Sequence, residues 1–308
     1  MEHEIKQSSV KITLLGIGGA GLNTVSRLHD KLTDIHTVAI CTDELSLSKS
    51  QAKTHLLIGK ETTDGRGAGG DSQIGEKAAR ESENAIRDVI KNADIVFLVA
   101  GLAGGTGAGA CYVAAQIAKE LGITAIAFYI MPFEFEGHVK IFNARQAAEK
   151  INSVVDAYLS IENEKLLRIV SRDTLVTAAY DIIDRTVGNL INFISDLINT
   201  DNKNLLRKAG KLFFGIGKSS QKEGLLMALT RALNNPLIDI SIDEKTVIIL
   251  SAKGRNISSD DVYKILKSIK KVQKNAAIVH VANTTDNNDI TVSVIAVQIS
   301  QDSKILTR

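Results

Sequence analysis

The chain has no tryptophan, only 4% aromatic residues, two cysteines and two prolines in 308 residues. Cys41 and Cys111 lie far apart, cannot frame a disulfide scaffold and fit a reducing cytosol. No apolar run approaches the ~20 residues of a membrane-crossing helix, and no N-terminal segment has the charged-then-apolar form of a signal peptide. The scarcity of aromatics argues against a base-stacking surface. A formal net charge of +2 supplies no field for nucleic acid or an anionic membrane. The histidines at 3, 29, 36, 55, 138 and 280 show no metal-ligand spacing, and no Ser/His/Asp arrangement stands out. The basic stretches Lys203–Lys211 and Lys267–Lys274 fall in helical patterns and read as solvated faces. The expectation is a cytoplasmic protein without a metal centre, a nucleic-acid partner or a membrane segment.

What is abundant is glycine, and it is clustered. Gly101-Leu-Ala-Gly-Gly-Thr-Gly-Ala-Gly109 holds five glycines in nine residues, between an apolar run, Asp94–Ala100, and a helical pattern, Ala110–Leu121. Backbone free of Cβ atoms can turn its N–H groups onto a ligand, and the helix that follows adds the positive end of its dipole, which suits a phosphate chain. Such a turn can also be a mere tight connection. Two further loops favour the ligand. Gly16-Ile-Gly-Gly-Ala-Gly21 joins a strand, Lys11–Leu15, to a helix, Leu22–Lys31, and satisfies GxGxxG. Residues 59–75 carry Gly65, Gly67, Gly69, Gly70 and Gly75.

A second strand, Thr37–Cys41, ends at Thr42-Asp43, 22 residues past Gly21, where a dinucleotide enzyme would place its ribose-binding acid. A nicotinamide oxidoreductase is therefore one reading. It needs one glycine turn for one pyrophosphate, whereas three turns at the ends of successive parallel strands describe a cage for a longer phosphate chain. A P-loop is excluded, because Gly217-Lys-Ser219 closes the motif but position 212 is Leu. Cys111, in the first turn after the glycine loop, could be activated by the dipole, although a small packing residue suits the position better.

The pattern predicts a doubly wound, mostly parallel α/β fold: a loose N-terminus at 1–10, a nucleotide-binding domain at 11–172, a long apolar helix at 173–200 and an α+β domain at 201–308. Helices are expected near Ser72–Lys91, supported by Glu76/Arg80 and Glu83/Arg87 pairs, and at Val139–Ile151. Strands are expected at Thr124–Ile130 and Ala157–Ile161. The C-terminal part reads as strands Lys211–Gly215, Val247–Ala252, Ala276–Ala282 and Asp289–Ile299, with helices Lys222–Asn234 and Ser258–Lys271. Its last two strands, joined by 283–288, are expected to form a hairpin.

Together, Gly16–Asn23, Cys41-Thr-Asp43, Gly65–Gly70, Ala103-Gly-Gly-Thr-Gly-Ala-Gly109 and Pro132-Phe-Glu-Phe-Glu-Gly137 resemble, in order and spacing, the FtsZ family of bacterial and archaeal cell-division proteins within the tubulin superfamily. The likeness runs from about residue 11 to 300. It implies a nucleotide site for GTP or GDP with accompanying Mg2+. Gly18, Gly19, Ala20 and Asn23 would face the phosphates and base side, with Asp43 nearby, and Ala68, Gly69 and Gly70 the terminal phosphate. Gly101, Ala103, Gly104, Gly105, Thr106 and Gly107 would cradle the other phosphates. Glu136 would hold the ribose, with Lys140 where the family usually has Arg, and Asn163 would approach the guanine or ribose. The family's Phe beneath the guanine and Asn or Asp at its edge fall on Val176 and Tyr180 in an ungapped reading. Tyr180 would stack, and Asp181, one residue late, would accept from the base.

The resemblance also implies head-to-tail filaments of the chain with itself, with a paralogue as a further partner. In the family, a loop entering the neighbouring subunit's site polarises the attacking water. That loop here is Ile198-Asn-Thr-Asp-Asn-Lys-Asn204, shorter than NxDFxD-bearing loops, and Asp201 is its candidate catalytic carboxylate. Nothing after Ile299 matches the family's tail peptide, which argues against recruitment by the usual membrane anchors. The expected function is a filament-forming GTPase in division or a related cytoskeletal task; a non-hydrolysing regulatory paralogue is the alternative.

Overall fold

The computed structural model describes residues 10–167, 170, 174, 176–198, 206–235, 246–255, 257–272, 278–283 and 289–298. The chain divides into two compact units, Met1–Arg207 and Lys208–Arg308.

The first unit begins with β1 (Ile12–Ile17), α1 (Gly18–Leu28), β2 (His36–Cys41), α2 (Glu44–Ser48), β3 (Thr54–Leu57), α3 (Lys60–Thr63), α4 (Ser72–Glu81) and α5 (Glu83–Ile90). It continues with β4 (Ile95–Gly101), α6 (Gly105–Glu120), β5 (Thr124–Met131), α7 (His138–Asn152), β6 (Ala157–Glu162), α8 (Asn163–Leu166) and α9 (Val176–Leu197). Its strands are parallel in the order β3-β2-β1-β4-β5-β6. The central ones are near-continuous apolar runs, as strands covered on both faces must be. Leu15, Ile17, Val96 and Leu98 pack with residues of α4 to α7. The alternate residues Leu14, Phe97 and Phe128, also fully buried, face the other way, and the last two stack at 5.5 Å. Ile17 pairs with Ile40 and with Ala100, and Gly101 with Ile130, so the loops after β1, β2, β4 and β5 open on one edge.

The glycine turns are shorter than expected, because their second halves are already helix: α1 starts at Gly18 and α6 at Gly105. Glycine weakens a helix by about 1 kcal/mol relative to Ala, and close packing repays it here. A Cβ on Gly75 would lie 2.2 Å from the Gly105 carbonyl, and one on Gly109 2.2 Å from that of Ser72, so α4 and α6 meet backbone to backbone. The expected 72–91 helix is two, broken at Ser82, whose hydroxyl accepts the Gly59 N–H at 3.0 Å. Of the two expected charge pairs, Arg87–Glu83 forms at 3.2 Å, whereas Glu76 pairs with Lys150 at 3.4 Å and Arg80 with Glu83 at 3.7 Å.

The second unit contains β7 (Gly210–Ser220), α10 (Gly224–Leu233), β8 (Thr246–Gly254), α11 (Ser259–Val272), β9 (Ile278–Asn283) and β10 (Asp289–Gln298). The expected terminal hairpin is absent. β10 inserts between β7 and β8, antiparallel to both, while β9 pairs with β8 in parallel. Val292 and Val294 of β10 join the core with Leu225, Leu229 and Ile265, and a central position lets β10 bury that face and satisfy both edges. The Ser258–Asp261 start of α11 is capped reciprocally: Asp261 N–H donates to the Ser258 hydroxyl at 3.2 Å, and Ser258 N–H to the Asp261 carboxylate at 3.1 Å.

Gly75→Ala should lower unfolding free energy by about 1–3 kcal/mol through overpacking, read as a reduced urea midpoint at constant slope. Gly19→Ala, at a helical position where an added Cβ meets nothing within 4 Å, should instead raise it by about 0.4–1 kcal/mol.

Candidate nucleotide site

Several helices of the first unit begin near the shared sheet edge; α3, α7 and α8 have no side-chain cap, and the others differ in a way that matters. Asp43 caps α2, accepting from Ser46 N–H at 2.6 Å, and Asp71 caps α4, accepting from Gln73 N–H at 2.7 Å. The starts of α1 and α6 have no side-chain cap; Ile17 and Gly104 stand in the capping positions. These ends leave first-turn N–H groups to solvent or a ligand, and an anion suits them. The two ends adjoin, since a Cβ on Gly18 would sit 2.8 Å from the Gly107 nitrogen. The third loop meets them at Gly105, where a Cβ would lie 2.6 Å from the Asp71 nitrogen. Within it, Gly69 and Gly70 are exposed at φ +58° and +81°, with nothing within 4 Å of an added Cβ. The loop is tied back by Gly67 N–H to the Thr42 carbonyl at 3.0 Å. Ala68 is buried beneath it, and the Thr106 hydroxyl pairs with that of Thr42 at 2.6 Å.

Beside this cradle lies a cleft of about 260 Å³. Of the predicted residues, Ala20, Asn23, Gly101, Ala103, Glu136, Asn163 and Tyr180 line it. Glu136 is held in place by the Phe133 N–H at 3.0 Å and by Lys140 at 3.2 Å. Lys140 thus serves the cleft through Glu136 and does not line it. Asn163 is 5% exposed, and its side-chain oxygen is buried without a hydrogen-bond partner. An orphaned buried acceptor of this kind is costly, and in a cleft wall it suits a ligand donor. Tyr180, Glu136 and Arg27 all line this cleft; burial raises the Tyr180 pKa, Glu136 adds to the rise and Arg27 opposes it.

Two predicted residues are elsewhere. Asp181 turns away from the cleft and pairs with Arg185 at 3.1 Å. The carboxylate that does line the cleft is Asp184, 3% exposed, four residues after Tyr180 and therefore on the same helix face. Position 181 is about 100° around the helix from 180. Asp43 accepts from Ser46 at the start of α2, and the hydrogen bonds from Ser46 hold its pKa below the ordinary value. It stands beside the Gly67 loop. Asp201 lies outside the described residues. Thr24, Arg27, Met131, Pro132 and Ile183 also line the cleft. Arg27 had a legible signal, four residues after Asn23 on a helix.

Residues 11–171 match the family model described as Tubulin/FtsZ family, GTPase domain. The chain is 34% identical over 313 residues to cell division protein FtsZ 1 of Methanocaldococcus jannaschii, covering 98% of this chain and 86% of that protein. Among solved structures it is similar to an empty FtsZ dimer of M. jannaschii, with a TM-score of 0.85 at 33% identity over 95% of this chain and 89% of the other. It shares its fold with CetZ2 from Haloferax volcanii, a GTPγS-bound protofilament, at a TM-score of 0.79 and 22% identity over 95% of both chains.

Cys111, buried in α6, is not activated by the nearby helix end; burial pushes its pKa up to about 12. A thiol-reactive dye at pH 8 should therefore leave Cys41 and Cys111 unlabelled in the folded protein and label both in denaturant. Rapid labelling of native Cys111 would contradict its burial.

Proposed function

This chain belongs to the tubulin/FtsZ family, and on that premise we propose that it binds GTP at the α1–α6 edge and hydrolyses it slowly within head-to-tail filaments. It is a cytoskeletal protein of the FtsZ/tubulin GTPase type; a role in cell division is the proposed task. The observation that carries nucleotide binding is the pair of adjoining helix N-termini without caps, opening beside a cleft with a buried carboxylate and an orphaned amide oxygen. In this reading the N–H groups of Gly18–Ala20 and Gly105–Gly107 hold the inner phosphates, and Gly69 and Gly70 face the terminal one. Glu136 accepts from a ribose hydroxyl, and Tyr180 packs on the base. Asp184 takes the role expected of Asp181, because guanine offers two N–H donors to a carboxylate whereas adenine does not.

Among the described residues no cluster of three His, Cys, Asp or Glu side chains could hold a metal. Mg2+ binds readily through substrate phosphates and water, so the residues present fit an ion carried by the triphosphate, where it would neutralise phosphate charge. Self-association is supported by exposed apolar side chains that flank Glu136 in the chain: Phe135, Val139 and Phe142 are 77%, 74% and 62% exposed. M. jannaschii FtsZ is seen as a dimer and CetZ2 as a protofilament. Cytoplasmic placement fits this role, and no described helix is long and apolar enough to cross a membrane. The single-acid loop 198–204 favours a second reading, a nucleotide-binding regulatory subunit that does not turn over.

GTP should bind the nucleotide-stripped protein, and Asp184→Ala should weaken it about 10- to 100-fold, the range for a hydrogen bond to a charged group. Phosphate release per subunit should rise with protein concentration and fall to baseline in Asp201→Ala, while electron microscopy with GTP shows filaments. A release rate flat with concentration, with binding intact, would favour the regulatory subunit. Purified protein carrying neither GTP nor GDP, and binding neither, would sink the nucleotide reading.

A further inference from the structure

Asp184 is not a free carboxylate. Its Oδ2 accepts from Arg27 Nη1 at 2.5 Å, with the aspartate side chain 4% exposed and the arginine 35%. The two residues come from different helices, and one further turn along explains how they meet. A Cβ on Gly188 would lie 2.7 Å from Leu28 Cδ2, so the missing side chain lets α9 settle against α1. That approach sets residues 184 and 27 opposite each other. Each also lies four residues from another cleft residue, Asp184 from Tyr180 and Arg27 from Asn23, so two helix faces confront each other across the space for the base.

We propose that Arg27 is a positioning residue that sets guanine-over-adenine selectivity by fixing the plane of the Asp184 carboxylate; this rests on the cleft being the base site. A carboxylate has two oxygens and about four acceptor positions. Arg27 occupies one, leaving Oδ1 and the second lone pair of Oδ2 for a base that presents two adjacent N–H donors. Guanine has that pair, N1–H and the 2-amino group. Adenine turns an acceptor, N1, toward the same edge and meets a fixed negative oxygen. A carboxylate free to rotate would discriminate less. The rigid, planar guanidinium fixes such a plane, whereas a lysine ammonium supplies charge without planar geometry.

A simple ion-pair staple between α1 and α9 predicts something different, namely equal weakening of every nucleotide when the pair is disturbed. Removing one partner of a buried pair also risks unfolding, so the decisive variant is Arg27→Lys, with Arg27→Met made only alongside Asp184→Asn. Affinities for GTP and ATP would be measured by calorimetry on nucleotide-stripped protein, with thermal unfolding recorded for each variant. Arg27→Lys should weaken GTP about tenfold, one well-placed hydrogen bond's worth, and leave ATP within about twofold. In the Asp184→Asn background, Arg27→Met should not change the GTP/ATP ratio further. A wild-type preference for GTP that Asp184→Asn collapses and Arg27→Lys leaves intact would overturn the proposal while sparing the base site. Equal weakening of both nucleotides by Arg27→Lys would also overturn it. A wild-type protein without preference for GTP would overturn the base site and the proposal together.

Discussion

The site depends on a steric condition: three turns from different strands must touch through their main chains. Gly18 against Gly107, Gly105 against Asp71 and Gly75 against Gly105 leave no room for a Cβ at any of these junctions. Such contact brings the starts of α1 and α6 together and locks α4 behind them. It also leaves adjoining helix ends without side-chain caps. A ligand that carries negative charge would meet the cost of those N–H groups. In the proposed reading phosphate binding is a property of backbone geometry, and the side chains nearby have other tasks.

Those tasks concern the base and sugar, and they follow from a looser kind of packing. The cleft is walled by α1, the ends of β4 and β5, the loop to Glu136, the start of α8 and the first half of α9. Its polar atoms are held by side-chain bonds: Glu136 by Phe133 and Lys140, Asp184 by Arg27. Asn163 keeps a fully buried oxygen without a partner. The strand order β3-β2-β1-β4-β5-β6 is also that of dinucleotide-binding folds, so the fold does not separate nicotinamide from triphosphate chemistry. The family match favours the triphosphate.

Much of this was legible beforehand, and the failures share a cause. Apolar runs bounded by glycine marked β1, β4 and β5, and clustered glycines marked the cradle, because both signals are local. Counting from a family pattern leads to Asp181, and helix phase leads to Asp184: Tyr180 and Asp184 share a face and Asp181 does not. The terminal hairpin was expected because chain neighbours often pair, but the core of the second unit needs the apolar face of β10 between β7 and β8. The edge strand β3 is half-buried and short, so its pattern is weak. The Arg27–Asp184 pair joins residues 157 apart in the chain, a relation no window of sequence contains.

The length of α9 separates binding from turnover. Asp184 faces the cleft, and Leu197 ends the helix 13 residues later, about 20 Å away at 1.5 Å per residue. Asp201 is four residues beyond Leu197, a reach of at most about 14 Å even for fully extended chain. The proposed reading places that carboxylate in the site of another copy. On that reading, phosphates held by the backbone of one subunit and water activated by the loop of the next would make the filament itself the unit of catalysis. Nucleotide binding can then persist in a single copy whatever becomes of the loop, whereas turnover is tied to contact between copies.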